Sequence, residues 1–220
     1  MTVGSRLADI GTDHGYIPIE LVQTGVIPSA IAMDVNKGPL SRAKEHIETA
    51  NLSDRISTRL SDGTKELREG EADCVIIAGM GGMLMMHILE DGRRLWNDVG
   101  EWILQPQSDL EKFRRFLHEN GFAVTDEDMV LEDGKFYPMM RAVFTGRKEP
   151  DLFDIEYLFG AGLLKTRHPV LKEYLFKEKE KTMHTIARLE GAGTPSAMER
   201  FKELVDYLSS VEEALNIYEM

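Results

Sequence analysis

The most constraining feature of this sequence is a regular alternation of short apolar runs with helix-like segments over the first 145 residues. Short runs rich in Val, Ile and Ala are typical of strands, and the longer segments between them favour helices. This βαβα order predicts a parallel sheet with helices on both faces. The predicted strands are 6–10, 30–34, 55–60, 73–77 and 101–104, and the predicted helices are 16–24, 39–50, 82–92 and 109–120.

The alternation then gives way to two β-like runs, 122–131 and 136–144. Only Glu132-Asp-Gly-Lys135 separates them, and an Asp-Gly turn between two such runs indicates a β-hairpin. Parallel strands that finish in an antiparallel hairpin resemble the seven-stranded, Rossmann-like α/β sheet of methyltransferases, with strand order 3-2-1-4-5-7-6. We predict this fold, and with it a catalytic domain, for residues 1–148.

Residues 149–220 differ in composition and are predicted to form a separate helical domain. The segment 168–190 has an apolar stripe on a charged background. The last helix is predicted to start at Ser196, with Glu199 at capping-box distance. The turn between them, 191–195, contains Gly and Pro, so the two helices are expected to form an antiparallel, coiled-coil-like pair.

The composition restricts the location and the metal chemistry of the protein. The longest apolar runs, such as 74–78, are too short to cross a bilayer, and the N-terminus has no apolar signal core. The single cysteine, Cys74, excludes a disulfide framework, and His14 and His87 have no metal-ligand partners at sensible spacing. We therefore expect a soluble, cytoplasmic protein with no metal and no membrane partner, and nothing indicates an obligate protein partner.

The charge is strongly acidic but unevenly distributed. A net charge of −12 argues against a nucleic-acid partner, because phosphate binding needs concentrated Lys and Arg. Within 165–188, however, basic residues outnumber acidic ones and could bind an anion. A solvated helix face with Glu–Lys pairs is the alternative explanation. The basic residues are Lys165, Arg167, Lys172, Lys177, Lys179, Lys181 and Arg188.

The turn after the first strand, Asp9-Ile-Gly-Thr-Asp-His-Gly15, is the first candidate ligand site. Its pattern is acid-x-Gly-x-x-x-Gly, which differs from the Gly-x-Gly-x-x-Gly of dinucleotide folds. The glycines let a ligand approach the backbone. A carboxylate here would repel a pyrophosphate but can hold an ammonium group, such as that of S-adenosylmethionine. A plain βα turn is the alternative.

Two further acids follow the next two strands. Asp34 lies about twenty residues beyond the glycine loop, where Rossmann-like sites place an acceptor for ribose hydroxyls. Asp62, beside Gly63, can accept from an adenine amino group. Ligands of open α/β sheets bind at the carboxyl ends of the strands, so the three acids predict one site. The candidate cofactor-binding residues are Asp9, Gly11, Asp13, His14, Gly15, Asp34, Val35, Asp62, Gly63, Ala78 and Gly79.

The substrate side of the site is predicted from the fourth and fifth strands. Ala78-Gly-Met-Gly-Gly82 would leave backbone groups open to a substrate, and it lacks the Asn/Asp-Pro-Pro-aromatic sequence of amino-directed adenine methyltransferases. Gln105 can offer its side-chain amide to a base edge. No Gly-x-Ser-x-Gly elbow is present for serine chemistry. The methionines of the following helix, Met83, Met85 and Met86, are expected mainly in the core.

Five segments together resemble the bacterial tRNA (adenine(22)-N(1))-methyltransferases, the TrmK family. The resemblance implies S-adenosylmethionine as methyl donor, S-adenosylhomocysteine as product, tRNA as substrate, and a helical domain that helps to hold tRNA. Family members usually carry a helical segment before the first strand, whereas here that strand starts by Arg6. The segments are 6–18, 34–39, 77–82, 104–106 and 132–137.

Methylation of adenine N1 needs little acid–base help, because the neutral base has a free lone pair on N1. The site has to align N1, the methyl carbon and the sulfur, and to exclude water. We hypothesise that the base leaves its stack and enters a pocket between Tyr16, Met80 and Gln105, with Tyr16 stacked on it. For Tyr16, simple packing at the helix start is the alternative. A methyltransferase for a small molecule or a protein, or a non-catalytic binding module, are the rival functions.

Overall fold

The computed structural model describes residues 1–147, 149–189 and 194–219. The chain divides into two compact units. The first contains Met1–Asp126 and Met139–Glu149, and the second contains Glu127–Pro138 and Pro150–Met220. The outer part of one β-hairpin is therefore grouped with the C-terminal helices.

The predicted seven-stranded sheet is confirmed, with the order β3-β2-β1-β4-β5-β7-β6. Strands β1 to β5 are parallel to their neighbours, and β7 pairs antiparallel with β5. Asp133 and Gly134 both have positive φ at the hairpin turn, as a two-residue primed turn requires. The strands are β1 (Leu7–Ile10), β2 (Ala30–Asp34), β3 (Ile56–Leu60), β4 (Cys74–Met80), β5 (Glu101–Pro106), β6 (Phe122–Glu132) and β7 (Lys135–Phe144).

Helices cover both faces of this sheet, as the alternating pattern predicts. Successive residues of β4 point to opposite faces, so Val75 and Ile77 join one apolar cluster while Cys74 and Ile76 join another. The first cluster contains residues of α3 and α4, and the second contains residues of α1 and α2. These helices are α1 (Tyr16–Gln23), α2 (Lys37–Thr49), α3 (Gly82–Asp91) and α4 (Leu110–Glu119).

Strands β4 and β5 run further than the sequence pattern predicts. Their pairing continues past a register shift between Ala78 and Met80, where Gly79 has a φ of 76°. Such a bulge lets a strand bend without ending, and bulges are common next to active sites. The extension brings Met80 and Gln105 into the sheet edge instead of leaving them in loops.

The second unit is helical around its own apolar core. Its helices are α5 (Asp154–Phe159), α6 (Ala161–Lys165), α7 (Pro169–Leu189) and α8 (Pro195–Asn216). Leu171 and Leu175 of α7 and Val211 of α8 are buried in one cluster with Met129 from the hairpin. Within the described ranges, no helix combines the length and the apolar character that crossing a membrane requires.

The predicted cap of the last helix is wrong by two residues. Thr194 takes the cap position and its hydroxyl accepts from the Ala197 N–H at 3.3 Å, so Ser196 lies inside the first turn. Pro195 explains the shift, because proline favours the first helical position, where its missing N–H has no intrahelical partner to lose. The rest of the predicted 191–195 turn lies outside the described residues.

Candidate active site

The candidate site lies at the carboxyl ends of the parallel strands, where the acidic and glycine-rich loops follow β1, β2, β3 and β4. The loop after β1 is held against β2, because the backbone N–H groups of Gly11 and Thr12 both donate to the Met33 carbonyl, at 2.8 and 2.9 Å. This pairing explains why the predicted acids of separate strands share one edge.

Two glycines of the first loop are required by their surroundings. Both have positive φ, 75° at Gly11 and 72° at Gly15. A Cβ at Gly11 would overlap with the Cε of Met80, and a Cβ at Gly15 would lie 3.3 Å from the Cβ of Ala43 on α2. The loop therefore lies between the Met80 side chain and helix α2, and it leaves no room for side chains at these positions.

Asp9 lies at the end of β1, 3% exposed. Its carboxylate accepts from the Thr12 hydroxyl at 2.6 Å. Burial raises the pKa of Asp9 to about 6; the Thr12 hydrogen bond opposes this rise, and the charge of Asp34 adds to it. A buried carboxylate with a raised pKa is a site that a cationic ligand would stabilise.

Asp34 is also buried, at 7% exposed. One carboxylate oxygen accepts from the Asn36 N–H at 2.8 Å, and the other accepts from the Asp13 N–H at 3.3 Å. A carboxylate oxygen can accept more than one hydrogen bond, so both oxygens retain acceptor capacity. The arrangement suits two neighbouring hydroxyl groups.

The other two loop acids have basic partners. The Asp13 carboxylate is 2.9 Å from Arg42 and 3.4 Å from His14, so its backbone, not its side chain, contacts Asp34. Asp62 is exposed and binds Lys65 at 2.5 Å, and the Lys65 hydrogen bond lowers the pKa of Asp62. Next to Asp62, Gly63 has a φ of 58°.

On the substrate side, the Gln105 side chain has a fixed orientation. The Gly79 N–H donates to Gln105 Oε1 at 2.9 Å. Because a backbone N–H only donates, the oxygen must face Gly79. The Nε2 atom is buried without a hydrogen-bond partner among the described residues, so its two N–H groups are available to an acceptor.

A further contact closes the loop that follows β4. The Gly82 N–H donates to the Ser108 carbonyl at 3.2 Å, and a Cβ at Gly82 would lie 2.5 Å from that oxygen. The loops after β4 and β5 are thus held together at the start of α3. The sequence could mark Gly82 as special only through the density of glycines around it.

Tyr16 begins α1 and is 63% exposed. Its ring lies 5.2 Å from the rings of both His14 and His46. The packing alternative predicted for Tyr16 is not what the structure places there, because most of the ring faces solvent. His46 was missed by the sequence analysis, since a single histidine on an amphipathic helix has no motif around it.

The remaining predicted residues differ in exposure. Val35 is 57% exposed beside Asp34, and Ala78 is partly buried against an apolar cluster. Met85 is fully buried and Met86 packs on the core, as expected, but the core prediction is wrong for Met83, which is 57% exposed. Among the described residues, no group of three or more His, Cys, Asp or Glu side chains could hold a metal ion.

The basic residues of the second unit fall into two sets. Three lysines of α7 have carboxylate partners: Lys177 lies 2.9 Å from Glu173, Lys179 lies 2.8 Å from Glu212, and Lys181 lies 3.0 Å from Glu178. This is the Glu–Lys pairing that the alternative explanation predicted. The exposed cations without an ion pair among the described residues are Lys165, Arg167, Lys172 and Arg188.

An open sheet with this strand order, and acids at the ends of three adjacent strands, defines a Rossmann-like methyltransferase. The chain belongs to the tRNA (adenine(22)-N(1))-methyltransferase family, TrmK, whose family model matches residues 7–213.

Similar proteins cover almost the whole chain. The tRNA (adenine(22)-N(1))-methyltransferase of Bacillus subtilis is 33% identical over 218 residues, which are 97% of this chain and 91% of that protein. The crystal structure of the B. subtilis TrmK has a TM-score of 0.85 at 32% identity, covering 97% of this chain and 93% of that one. Sp1610 of Streptococcus pneumoniae, in complex with S-adenosyl-L-methionine, has a TM-score of 0.85 at 35% identity, covering 97% and 94%.

Proposed function

We propose that this protein transfers a methyl group from S-adenosylmethionine to N1 of adenine 22 in tRNA, in the cytoplasm. The observation that carries this proposal is the acid-lined glycine loop at the sheet edge of a chain that belongs to the TrmK family over residues 7–213. A relative at 35% identity binds S-adenosyl-L-methionine, which supports the same donor here.

The side chains at the sheet edge fit this donor. Asp9 offers a buried negative charge for the ammonium group, and Asp34 offers two oxygens for the ribose hydroxyls. Val35, Asp62 and Gly63 would surround the adenine. When bound, the donor supplies an electrophilic methyl group on a positively charged sulfur. The remaining proposed cofactor contacts are Gly11, Asp13, His14, Gly15, Ala78 and Gly79.

The substrate residues orient the adenine and need not remove a proton. The N1 lone pair is free in neutral adenine, so positioning and exclusion of water are the main requirements. Gln105 can donate through Nε2 to a ring nitrogen other than N1, while its oxygen stays on Gly79. Tyr16 offers an exposed ring for stacking, and Met80 forms an apolar wall over Gly11.

The helical unit is proposed to contact tRNA phosphates. The four exposed cations without ion pairs, Lys165, Arg167, Lys172 and Arg188, are available for this role. Lys177, Lys179 and Lys181 would have to exchange glutamate partners for phosphates, so we expect them to contribute less. A small-molecule methyltransferase would not need this basic helical surface, which favours tRNA over that rival.

The experiment that tests the function is methylation of an unmodified tRNA transcript with labelled donor, followed by nucleoside analysis. We expect N1-methyladenosine, and none from a transcript with guanine at position 22. Direct formation of N6-methyladenosine, under conditions that prevent rearrangement of the N1 product, would contradict the proposed acceptor atom. Labelling that does not depend on position 22 would contradict the proposed target.

A further inference from the structure

Three aromatic rings lie together beside the glycine loop. The Tyr16 ring is nearly parallel to His14 and His46, with interplanar angles of 6° and 11° and ring centroids 5.2 Å apart in both pairs. The two imidazoles are 5.6 Å apart at 17°. Offset parallel packing of this kind is favourable for aromatic rings. An exposed tyrosine thus has two ring neighbours instead of a buried pocket.

His46 has a second contact that fixes its own ring. Its Nδ1 lies 2.9 Å from the backbone carbonyl oxygen of His14. A carbonyl oxygen only accepts hydrogen bonds, so Nδ1 must carry the proton. His46 also belongs to α2, the helix that packs Ala43 against Gly15. The imidazole is therefore anchored by its helix on one side and by the loop on the other.

We infer that His46 is a positioning residue that holds the Tyr16 ring in the orientation needed to stack on the target adenine. The inference rests on the proposed function, in which Tyr16 contacts the base. An exposed tyrosine side chain can occupy several rotamers, and a base that must present N1 to a methyl group needs one of them. The two imidazole rings select that rotamer, and His46 is the one whose ring is anchored from outside the loop.

The test compares three substitutions of His46 in the full-length protein. His46→Ala removes ring and hydrogen bond, His46→Phe keeps a ring, and His46→Asn keeps a donor without a ring. Loss of one ring pair should lower kcat for tRNA methylation about 2- to 12-fold in His46→Ala. The dissociation constant for S-adenosylhomocysteine should stay within about twofold. Glu45→Ala, at the exposed neighbouring position of α2, is the control and should match the unchanged protein.

Rescue separates stacking from the hydrogen bond. We expect His46→Phe to restore most of kcat and His46→Asn to resemble His46→Ala. Restoration by Asn and not by Phe would show that the bond to the His14 carbonyl matters instead, and would overturn the inference. An unchanged kcat in His46→Ala would overturn it as well.

A second readout needs neither RNA nor methyl transfer. The Tyr16 ring signals, observed by NMR after selective tyrosine labelling, should carry ring-current shifts that His46→Ala reduces and His46→Phe retains. Absence of such a change would overturn the ring contact itself. Unchanged protein that binds S-adenosylhomocysteine but leaves tRNA unmethylated would contradict the proposed function. A methylating protein whose kcat ignores His46 would contradict only the role of His46.

Discussion

Replacing Asp34 with Ala should weaken binding of S-adenosylmethionine and S-adenosylhomocysteine strongly. The carboxylate is 7% exposed and is held by the Asn36 and Asp13 N–H groups, so it is already oriented before a ligand arrives. Hydrogen bonds to a charged acceptor contribute about 1.5–3 kcal/mol. The dissociation constant should therefore rise about 13- to 160-fold.

A second variant separates the ribose contact from the loop contacts. Asp34→Asn keeps one carbonyl oxygen for the Asn36 N–H but removes the charge, and we expect an intermediate loss of affinity. Asp54→Ala is the matched control, because Asp54 is exposed just before β3, at the other end of that strand. The thermal midpoint of each variant shows whether the protein remains folded.

Titration calorimetry with S-adenosylhomocysteine gives the affinities directly. Affinity in folded Asp34→Ala equal to that of the unchanged protein would refute the ribose assignment. A loss of equal size in Asp54→Ala would show that the effect is not specific to the carboxyl edge of the sheet.

Three other outcomes follow from burial, stacking and charge. The folded pKa of Asp9, about 6, lies above its ordinary value, so its ionisation opposes folding above pH 6. Asp9→Asn should thus raise the free energy of unfolding by up to about 3 kcal/mol at pH 7.5 but little near pH 4, and denaturant titrations giving the same gain at both pH values would contradict this. Tyr16→Phe should keep much of the methylation rate while Tyr16→Ala loses about five- to 150-fold; equal rates in single-turnover assays would exclude stacking. Neutralising Lys165 and Arg167 should reduce the salt dependence of tRNA binding by about one unit of log–log slope each, more than neutralising Lys177 does, and filter-binding series over salt concentration test this order.

Most of the fold follows from local patterns. The strands around 7–10, 30–34 and 74–77 are short apolar runs, and the hairpin follows from the Asp133-Gly134 turn, because positive φ at both positions favours these residue types. The ends of β4 and β5 could not be predicted, since the pairing past Gly79 depends on a neighbouring strand. Helices α5 and α6 were missed because segments of five or six residues have little periodicity to detect.

The candidate site was predictable in its residue types but not in its contacts. The acids and glycines lie after the strands, and any parallel sheet brings those loops to one edge. That Asp13 faces Arg42 while Asp34 faces the loop backbone depends on where α2 packs. The Glu212 partner of Lys179 comes from the other long helix, so the charge available to a phosphate could not be read from 165–188 alone.

The sequence by itself determined the strand order, the edge of the sheet that carries the site, and the family, because these depend on the order of residue types along the chain. Only the tertiary structure decided which side chains meet there. Met80 covers Gly11, Gln105 turns its oxygen to Gly79, and His46 lies beside Tyr16. These partners are far apart along the chain, and only the packing of helices and strands brings them within contact distance, so no local pattern records them.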